Sequence, residues 1–415
     1  MGEPLNNPFA TYEAVLRRPQ FRRLWLSWTL SRLGDGIHEV ALILLVWQLT
    51  GSASLMAVVA ICSMVPSIAL AFVGGAFADR YDRKRIMVFC DAGRGILVLG
   101  LVPLYLVGWL NPVAICAFAF LASSLETFFT PAQFAAIPAT AGSENVQTAQ
   151  ALIQATSRLT QIIGPALGAA LFGLVGAALP FAANAASFSL SAIVLSKIVL
   201  PDMSAQQGNR RLTQDMRAGF AYVRDNQAVM ILLVMALLLN FGGAPLGIIL
   251  PIFSEVLNSS AHAFGYMMAM MSAGMVLGFW QAGTASVTGK LVVLLSVFVG
   301  LAFIALSSTL LLPRAVGQVV AYLIIFVLGV LMGMVNVRIG AIMQLATDPA
   351  YLGRVGSVGR MFSLIASPLS LALFGPLVDF QGPGLALLIC GFLIMLAGIP
   401  FIGSSMWRFR TQPSK

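Results

Sequence analysis

The chain has 415 residues, of which 59% are hydrophobic and only 9% charged, with a formal net charge of +9. Soluble domains average about 45–50% apolar and about 25% charged residues, so this composition excludes a water-facing globule and makes lipid the solvent. The positive charge is no nucleic-acid footprint, because no basic patch interleaves with aromatics, and in membrane chains it reports topology instead.

The first twenty residues carry Glu3, Glu13, Arg17 and Arg18 and no apolar core, so residues 1–20 are expected as a cytoplasmic segment without a cleavable signal peptide. A crossing needs ~20 mainly apolar residues. The sequence predicts twelve, at roughly 21–48, 53–78, 85–108, 111–138, 146–173, 176–199, 227–254, 261–284, 289–311, 316–345, 351–378 and 384–406. Helix is the expected state, since lipid forces backbone groups to pair within a segment and no period-2 barrel pattern appears. The fold class is therefore all-α and integral to the membrane, in two six-helix bundles at 21–199 and 227–406, with a tail at 407–415. Between the bundles, 200–226 reads as a cytoplasmic linker. Its Leu212, Met216, Phe220 and Val223 recur at three and four residues, which predicts a short amphipathic helix on the membrane face.

Lys and Arg fall on alternate connections. Arg17, Arg18, Arg22 and Arg23, then Arg80, Arg83, Lys84 and Arg85, then Lys197, Arg210, Arg211, Arg217 and Arg224, then Lys290, Arg354, Arg408, Arg410 and Lys415 lie on one side, and Arg314 alone on the other. That asymmetry places both termini in the cytoplasm, of a plasma or inner membrane. The halves also look duplicated. RLTQIIGPALGAALFG at 158–173 and RMFSLIASPLSLALFG at 360–375 both open on Arg, carry a mid-helix Pro and close on ALFG at the same distance from that Arg. Two related bundles are a common transporter plan.

Six of the seven side chains from Asp79 to Arg85 are charged, in the cytoplasmic turn between spans two and three. GAFADRYDRK, residues 75–84, resembles the loop signature of the major facilitator superfamily, G-x-x-x-D-R-x-G-R-[RK], at Gly75, Asp79, Arg80, Arg83 and Lys84, with Asp82 where the family has Gly. Asp tolerates left-handed backbone better than most residues, so the turn is expected to survive. SRLGDGIHEVALILLVWQLTGSAS, TPAQFAAIP and GPALGAAL are similar to segments of the third drug:proton antiporter subfamily, which includes macrolide and siderophore exporters. Two departures stand against proton antiport. Span four has Glu126 where many antiporters have Arg, and span five keeps only Gly164, Pro165 and Gly168 of its glycine-rich signature. The counterpart loop between spans eight and nine, GTASVTGK, carries no acid.

The resemblance implies a conformational latch at Gly75, Asp79, Arg80 and Arg83, with Asp79 meeting the start of span eleven. In TDPAYLGR, Asp348 before Pro349 reads as an N-cap and first-turn proline, and the latch also includes Arg354, six residues after Asp348. The positive end of that helix would favour Asp79 by ~0.3–1 kcal/mol. Gly164, Pro165 and Gly168 have two readings, close packing with a bend, or the flexing point the resemblance implies.

Charges inside the membrane cost ~2.5–3.5 kcal/mol each at the centre, so they mark candidate function. The first half holds Arg32, Asp35, His38, Glu39, Asp91, Arg94, Glu126 and Arg158, and Arg32, Asp35 and Glu39 share one stripe of span one. At ~1.5 Å per residue, Asp35 lies about 18 Å in from Arg23. Four acids face three arginines, so one carboxyl is left over, as a proton carrier requires; the alternative is a fully paired packing network. His38 is expected as a hydrogen-bonded spectator. The second half offers Asn240, Asn336 and Arg338, with Glu255 and Asp379 near the outer ends.

Cys62, Cys90, Cys116 and Cys390 lack metal spacing, no cofactor or metal is expected, and there is no serine-centred elbow or histidine cluster to suggest an enzyme. Met-rich stretches such as MMAMMSAGM suit adaptable amphipathic cargo or are ordinary filler. The sequence thus predicts a monomeric proton-coupled exporter of amphipathic drug-like or siderophore-like molecules. A lysophospholipid mover without proton coupling and a non-transporting receptor or scaffold remain as alternatives.

Overall fold

The computed structural model describes residues 8–200, 220–257, 263–284, 288–348, 351–404 and 407. Its helices are α1 (Pro8–Leu16), α2 (Pro19–Thr50), α3 (Ala53–Ala69), α4 (Ala71–Arg80), α5 (Arg83–Leu106), α6 (Pro112–Ala141), α7 (Val146–Val175) and α8 (Ala178–Ser196). After the linker come α9 (Gln227–Gly243), α10 (Leu246–Leu257), α11 (Ala263–Thr284), α12 (Gly289–Ser308), α13 (Arg314–Ala346) and α14 (Leu352–Met395). Helices were the expected state, and α1 is an addition to the expected terminal segment.

Ten helical stretches among the described residues are long and apolar enough to cross a membrane, and the shorter apolar α3 makes an eleventh. The twelfth comes from a kink. α14 bends at Gly382, which has φ 79° and ψ 171°. Only glycine adopts that left-handed region freely, so spans eleven and twelve run as two arms of one helical stretch. Expected span two is likewise divided, into α3 and α4 at Leu70 (φ −103°, ψ 0°).

The seventh span, expected as one run, breaks at Ala244–Pro245. The Ala244 N–H closes the last turn on the Asn240 carbonyl at 2.9 Å. Pro245 then has no N–H to offer Phe241, and the Ser370 hydroxyl donates to that carbonyl instead, at 2.5 Å. Ser370 is fully buried on α14, so the break is satisfied from a neighbouring helix.

The chain divides into two compact units, unit 1 (Met1–Leu49 and Val59–Gln207) and unit 2 (Thr50–Val58 and Gly208–Lys415). Phe21, Leu24 and Trp28 of α2 join Met87 and Cys90 of α5, Phe129 of α6 and Leu195 of α8 in one buried cluster of unit 1. In unit 2, Gly333 of α13 lies so close to α11 that an added Cβ would sit 2.7 Å from the Met275 carbonyl. Met267 and Met268 are buried in the core, which assigns that part of the methionine run to packing.

Of the expected amphipathic helix, Leu212 and Met216 lie outside the described residues. Its end, helical over 220–225, docks on α14, with Val223 buried beside Val355 and Val358.

Candidate functional site

Five charged side chains from three helices of unit 1 converge. Arg32 and Asp35 come from α2, Asp91 and Arg94 from α5, and Glu126 from α6. Arg94 is 4% exposed and its Nη2 donates to Asp35 Oδ1 at 2.7 Å. The same guanidinium reaches Asp91 Oδ1 at 3.6 Å and Glu126 Oε2 at 3.8 Å. Arg32 Nη1 lies 2.6 Å from Glu126 Oε1 and 3.9 Å from Asp35 Oδ2. Phe188 of α8 places its ring 4.1 Å from the Arg94 guanidinium carbon, a cation–π contact that helps hold the cation in an apolar setting. Asp91 is fully buried, and its Oδ2 accepts hydrogen bonds from Ser31 at 3.1 Å and from Ser191.

The five groups carry three carboxyls against two guanidinium cations. Asp35 Oδ2 and Asp91 Oδ1 are buried without a hydrogen bond. Asp35, Glu126 and Arg32 keep side-chain exposures of 24%, 31% and 33%, whereas Asp91 and Arg94 are sealed. The cluster therefore has a closed floor, Asp91 and Arg94, and a partly exposed rim, Arg32, Asp35 and Glu126; the two closest ion pairs join Arg94 to Asp35 and Arg32 to Glu126, and the third carboxyl, Asp91, is held by two hydroxyls.

The other residues of the expected layer stand apart. Arg158 is exposed and forms no ion pair among the described residues. The inward face of α7 carries Ile153, Thr156, Thr160 and Gly164 at spacings of three and four, and Arg158 lies off that stripe. Glu39 is exposed and also lacks an ion pair among the described residues. His38 Nδ1 is buried without a hydrogen-bond partner, and the ring packs 5.0 Å from Phe181. The expected hydrogen-bonded spectator is thus a packing residue at that nitrogen.

Gly164 and Gly168 meet α2 closely. A Cβ on Gly164 would lie 2.9 Å from Gly36 Cα, and one on Gly168 would lie 2.5 Å from the Ile37 carbonyl oxygen. Pro165 sits between them, within α7. This contact packs α7 against α2 at Gly36 and Ile37, directly after Asp35.

At the charged turn, Asp82 has φ −56° and ψ 112°, so it is not left-handed. It caps α5 instead, accepting from the Lys84 and Arg85 N–H groups at 2.8 and 3.3 Å. Arg83 Nη1 donates to the Ala135 carbonyl of α6 at 3.1 Å, and Arg80 is exposed. Gly74, rather than Gly75, makes the close approach, against the Thr127 carbonyl, while a Cβ on Gly75 would meet nothing within 4 Å. The Asp79 side chain lies outside the described residues.

Asp348 is not the cap of α14, which begins at Leu352 after Tyr351. Its carbonyl accepts the Tyr351 N–H at 2.8 Å, and its own N–H donates to the Tyr222 hydroxyl at 2.9 Å. Tyr222 stacks on Tyr351 at 4.5 Å, and the Arg354 guanidinium lies 5.4 Å from the same Tyr351 ring. The start of α14 is therefore pinned by two stacked tyrosines, one from the end of the linker and one from the helix itself.

Unit 2 also holds a contact that sequence reasoning does not assign. Asp379 of α14 accepts from the Ala53 and Ser54 N–H groups at 2.6 and 3.0 Å and from the Ser52 hydroxyl at 3.0 Å. It caps the start of α3 from outside, where free N–H groups and the helix dipole favour an anion. Gly375, one turn earlier, leaves room, since a Cβ there would sit 2.9 Å from the Ala57 Cβ. A lone Asp four residues after a Gly in an apolar run was the available signal.

Kinked and broken apolar helices, a buried charge cluster and span-length helices throughout define a multi-pass helical membrane protein, and its relatives make it a transporter of the major facilitator fold. The chain belongs to the family described as "Transmembrane secretion effector", whose match runs from residue 10 to 409. It is 27% identical over 407 residues to the uncharacterized MFS-type transporter YfiS of Bacillus subtilis, covering 92% of this chain and 94% of that protein. It is 23% identical over 387 residues to macrolide efflux protein A of Streptococcus pyogenes, covering 92% and 94%. It is 26% identical over 409 residues to the enterobactin exporter EntS of Escherichia coli, covering 95% and 94%. Among solved structures, the fold matches the nucleoside transporter NupG with a TM-score of 0.68 at 15% identity, covering 94% of this chain and 99% of that one. It also matches an inward-facing bacterial homolog of the human lysosomal transporter Spinster with a TM-score of 0.70 at 14% identity, covering 99% and 100%. The protein is thus a transporter related to drug and siderophore exporters, and not an enzyme.

Proposed function

We propose that the protein is a proton-coupled exporter of amphipathic small molecules, drug-like or siderophore-like, working by alternating access as a monomer in the inner membrane with both termini cytoplasmic. The observation that carries this reading is the open-rimmed cluster in unit 1, with three carboxyls around Arg32 and Arg94. Three carboxyls share two cations, so one of them can take up a proton without leaving a cation unpaired, and ions kept in a membrane interior mark proton and substrate paths. Asp35 is the proton carrier in this reading. It shares Arg94 with two other acids, keeps one oxygen without a hydrogen bond, and stands at the rim. Glu126 is the companion that takes Arg32 or Arg94 when Asp35 is neutral. Asp79, Arg80 and Arg83 serve the conformational switch that the resemblance of this turn implies, and the Lys and Arg partition supports the orientation. Relatedness to macrolide efflux protein A and to EntS supports the direction and cargo class.

The test is efflux from an efflux-deficient bacterial host expressing the protein, over a panel of macrolides, catecholates and lipophilic cations, with and without an uncoupler. The proposal expects energy-dependent extrusion of at least one class, abolished by the uncoupler. Extrusion that survives the uncoupler would favour a lipid or drug mover without proton coupling. No extrusion of any compound, with the protein present in the membrane, would favour a receptor or scaffold.

A further inference from the structure

Unit 2 carries its polar groups without carboxyls at one cleft. Asn240 of α9 and Asn336 of α13 line this space of about 110 Å³, smaller than the ~150 Å³ that encloses a benzene ring and large enough for a short polar arm. The rest of the lining includes Gly243, Val299, Met332 and Ile394. No ionisable side chain lines it among the described residues.

The two amides are oriented alike. Asn240 Nδ2 donates to the Ala236 carbonyl at 2.7 Å, and Asn336 Nδ2 donates to the Met332 carbonyl at 2.9 Å. Each amide thereby has one of its two N–H groups engaged on its own helix, four residues back. Each Oδ1 is left as an acceptor with no partner among the described residues, and both residues are exposed. An amide oxygen accepts two hydrogen bonds and donates none.

The cleft also lies at the break of the seventh span. Asn240 closes the last turn of α9, Gly243 ends that helix and borders the cleft, and Pro245 forbids continuation. Broken membrane helices concentrate at binding sites, where irregular backbone lines a cavity. Here the Phe241 carbonyl freed by the break accepts a hydrogen bond from the buried Ser370 hydroxyl. The cleft and the break are separate observations, and both point to the same place.

We infer that the Asn240–Asn336 cleft is a cargo subsite that receives a neutral or cationic group bearing N–H or O–H donors, such as an aromatic amine, hydroxyl or ammonium, carried on an apolar body. It deepens the export reading above, on which it rests for its role in transport. Two acceptor oxygens offer partners to a donor-bearing group, and a lining with no cation offers carboxylates and phosphates no counter-charge. The apolar lining takes the arm that carries it, and Met332 supplies an adaptable wall.

The experiment measures binding to the full chain in lipid nanodiscs, without a proton gradient. The probes are ethidium, a cation with two aromatic amino groups, and tetraphenylphosphonium, a bulky cation with no N–H or O–H. Asn240→Leu and Asn336→Leu should each weaken ethidium binding about tenfold, the loss of one hydrogen bond to a charged or polarised donor. Tetraphenylphosphonium affinity should stay within about twofold, since it makes no such bond. Asn240→Asp, which keeps the acceptor oxygen, should retain ethidium binding. Equal losses for both cations, unchanged ethidium affinity in both Leu variants, or no saturable ethidium binding by the wild-type protein would overturn the inference. Because the assay involves neither flux nor a pH gradient, a failure of proton coupling leaves its result standing, and its failure leaves proton coupling untouched.

Discussion

The two units handle polarity in opposite ways. Unit 1 gathers five charges into one network on α2, α5 and α6. Unit 2 places two neutral amides on a cleft at a broken helix, and its one fully buried guanidinium, Arg338, has a single 3.4 Å bond to the Met334 carbonyl and no ion pair among the described residues. The two units share a helical frame and differ in chemistry. Protonation state can change within unit 1 without any charge at the unit 2 cleft answering it. Under the functional reading above, energy coupling belongs to unit 1 and recognition of donor groups to unit 2.

Substitutions can break or sharpen that contrast. The largest effect is expected at Arg94, whose removal leaves Asp35, Asp91 and Glu126 around a missing cation. Breaking a buried ion network by deleting one partner costs about 3–5 kcal/mol. Arg94→Leu should sharply lower the thermal unfolding temperature of the purified protein, or prevent its accumulation in the membrane. A variant as stable as the parent would show that the network is not the structural centre of unit 1.

In unit 2 the costs are those of neutral hydrogen bonds. Ser370→Ala strips the partner from the Phe241 carbonyl at the span-seven break, and an unsatisfied buried carbonyl costs about 1–3 kcal/mol. Thermal unfolding of this variant should show a moderate loss, with ethidium binding lowered alongside it. Asp379→Ala removes the outside cap of α3, worth about 1 kcal/mol. That loss should appear as faster amide hydrogen exchange at Ala53 and Ser54, whose N–H groups Asp379 holds. The smallest effect is expected at Arg158. Exposed and unpaired among the described residues, it should change stability by less than about 0.5 kcal/mol on conversion to Gln. A loss comparable to that of Arg94→Leu would show that Arg158 belongs to the network after all.

Much of this is legible in the sequence, because hydropathy and charge are properties of segments. The span count, the Lys and Arg partition, and the presence of Arg32, Asp35, Arg94 and Glu126 in the apolar runs all follow from one-dimensional patterns. Depth also follows, from the fixed rise of a helix. The direction a residue faces is harder. Arg158 shares a helix with the inward Thr156 and Thr160, and two positions turn a side chain about 200° around the axis. Neighbours from distant segments are harder still. The Ser31 and Ser191 hydroxyls on Asp91, the Asp379 cap on α3 and the Ser370 bond to Phe241 join residues 60, 100, 325 and 129 positions apart. Asp82 shows a different limit: its place in the motif suggests a left-handed turn, whereas its capping chemistry decides its conformation. The break at Pro245 is signalled in FGGAPLG, but a run of apolar residues on both sides conceals it.

The most direct test of the account compares two transport modes of Asp35→Asn in proteoliposomes, with a cargo identified by the efflux panel. An amide holds the position permanently neutral, so the variant should lose accumulation driven by a pH gradient and retain exchange of labelled for unlabelled cargo at equal pH. Full gradient-driven accumulation by Asp35→Asn would contradict the assignment of proton coupling to this cluster.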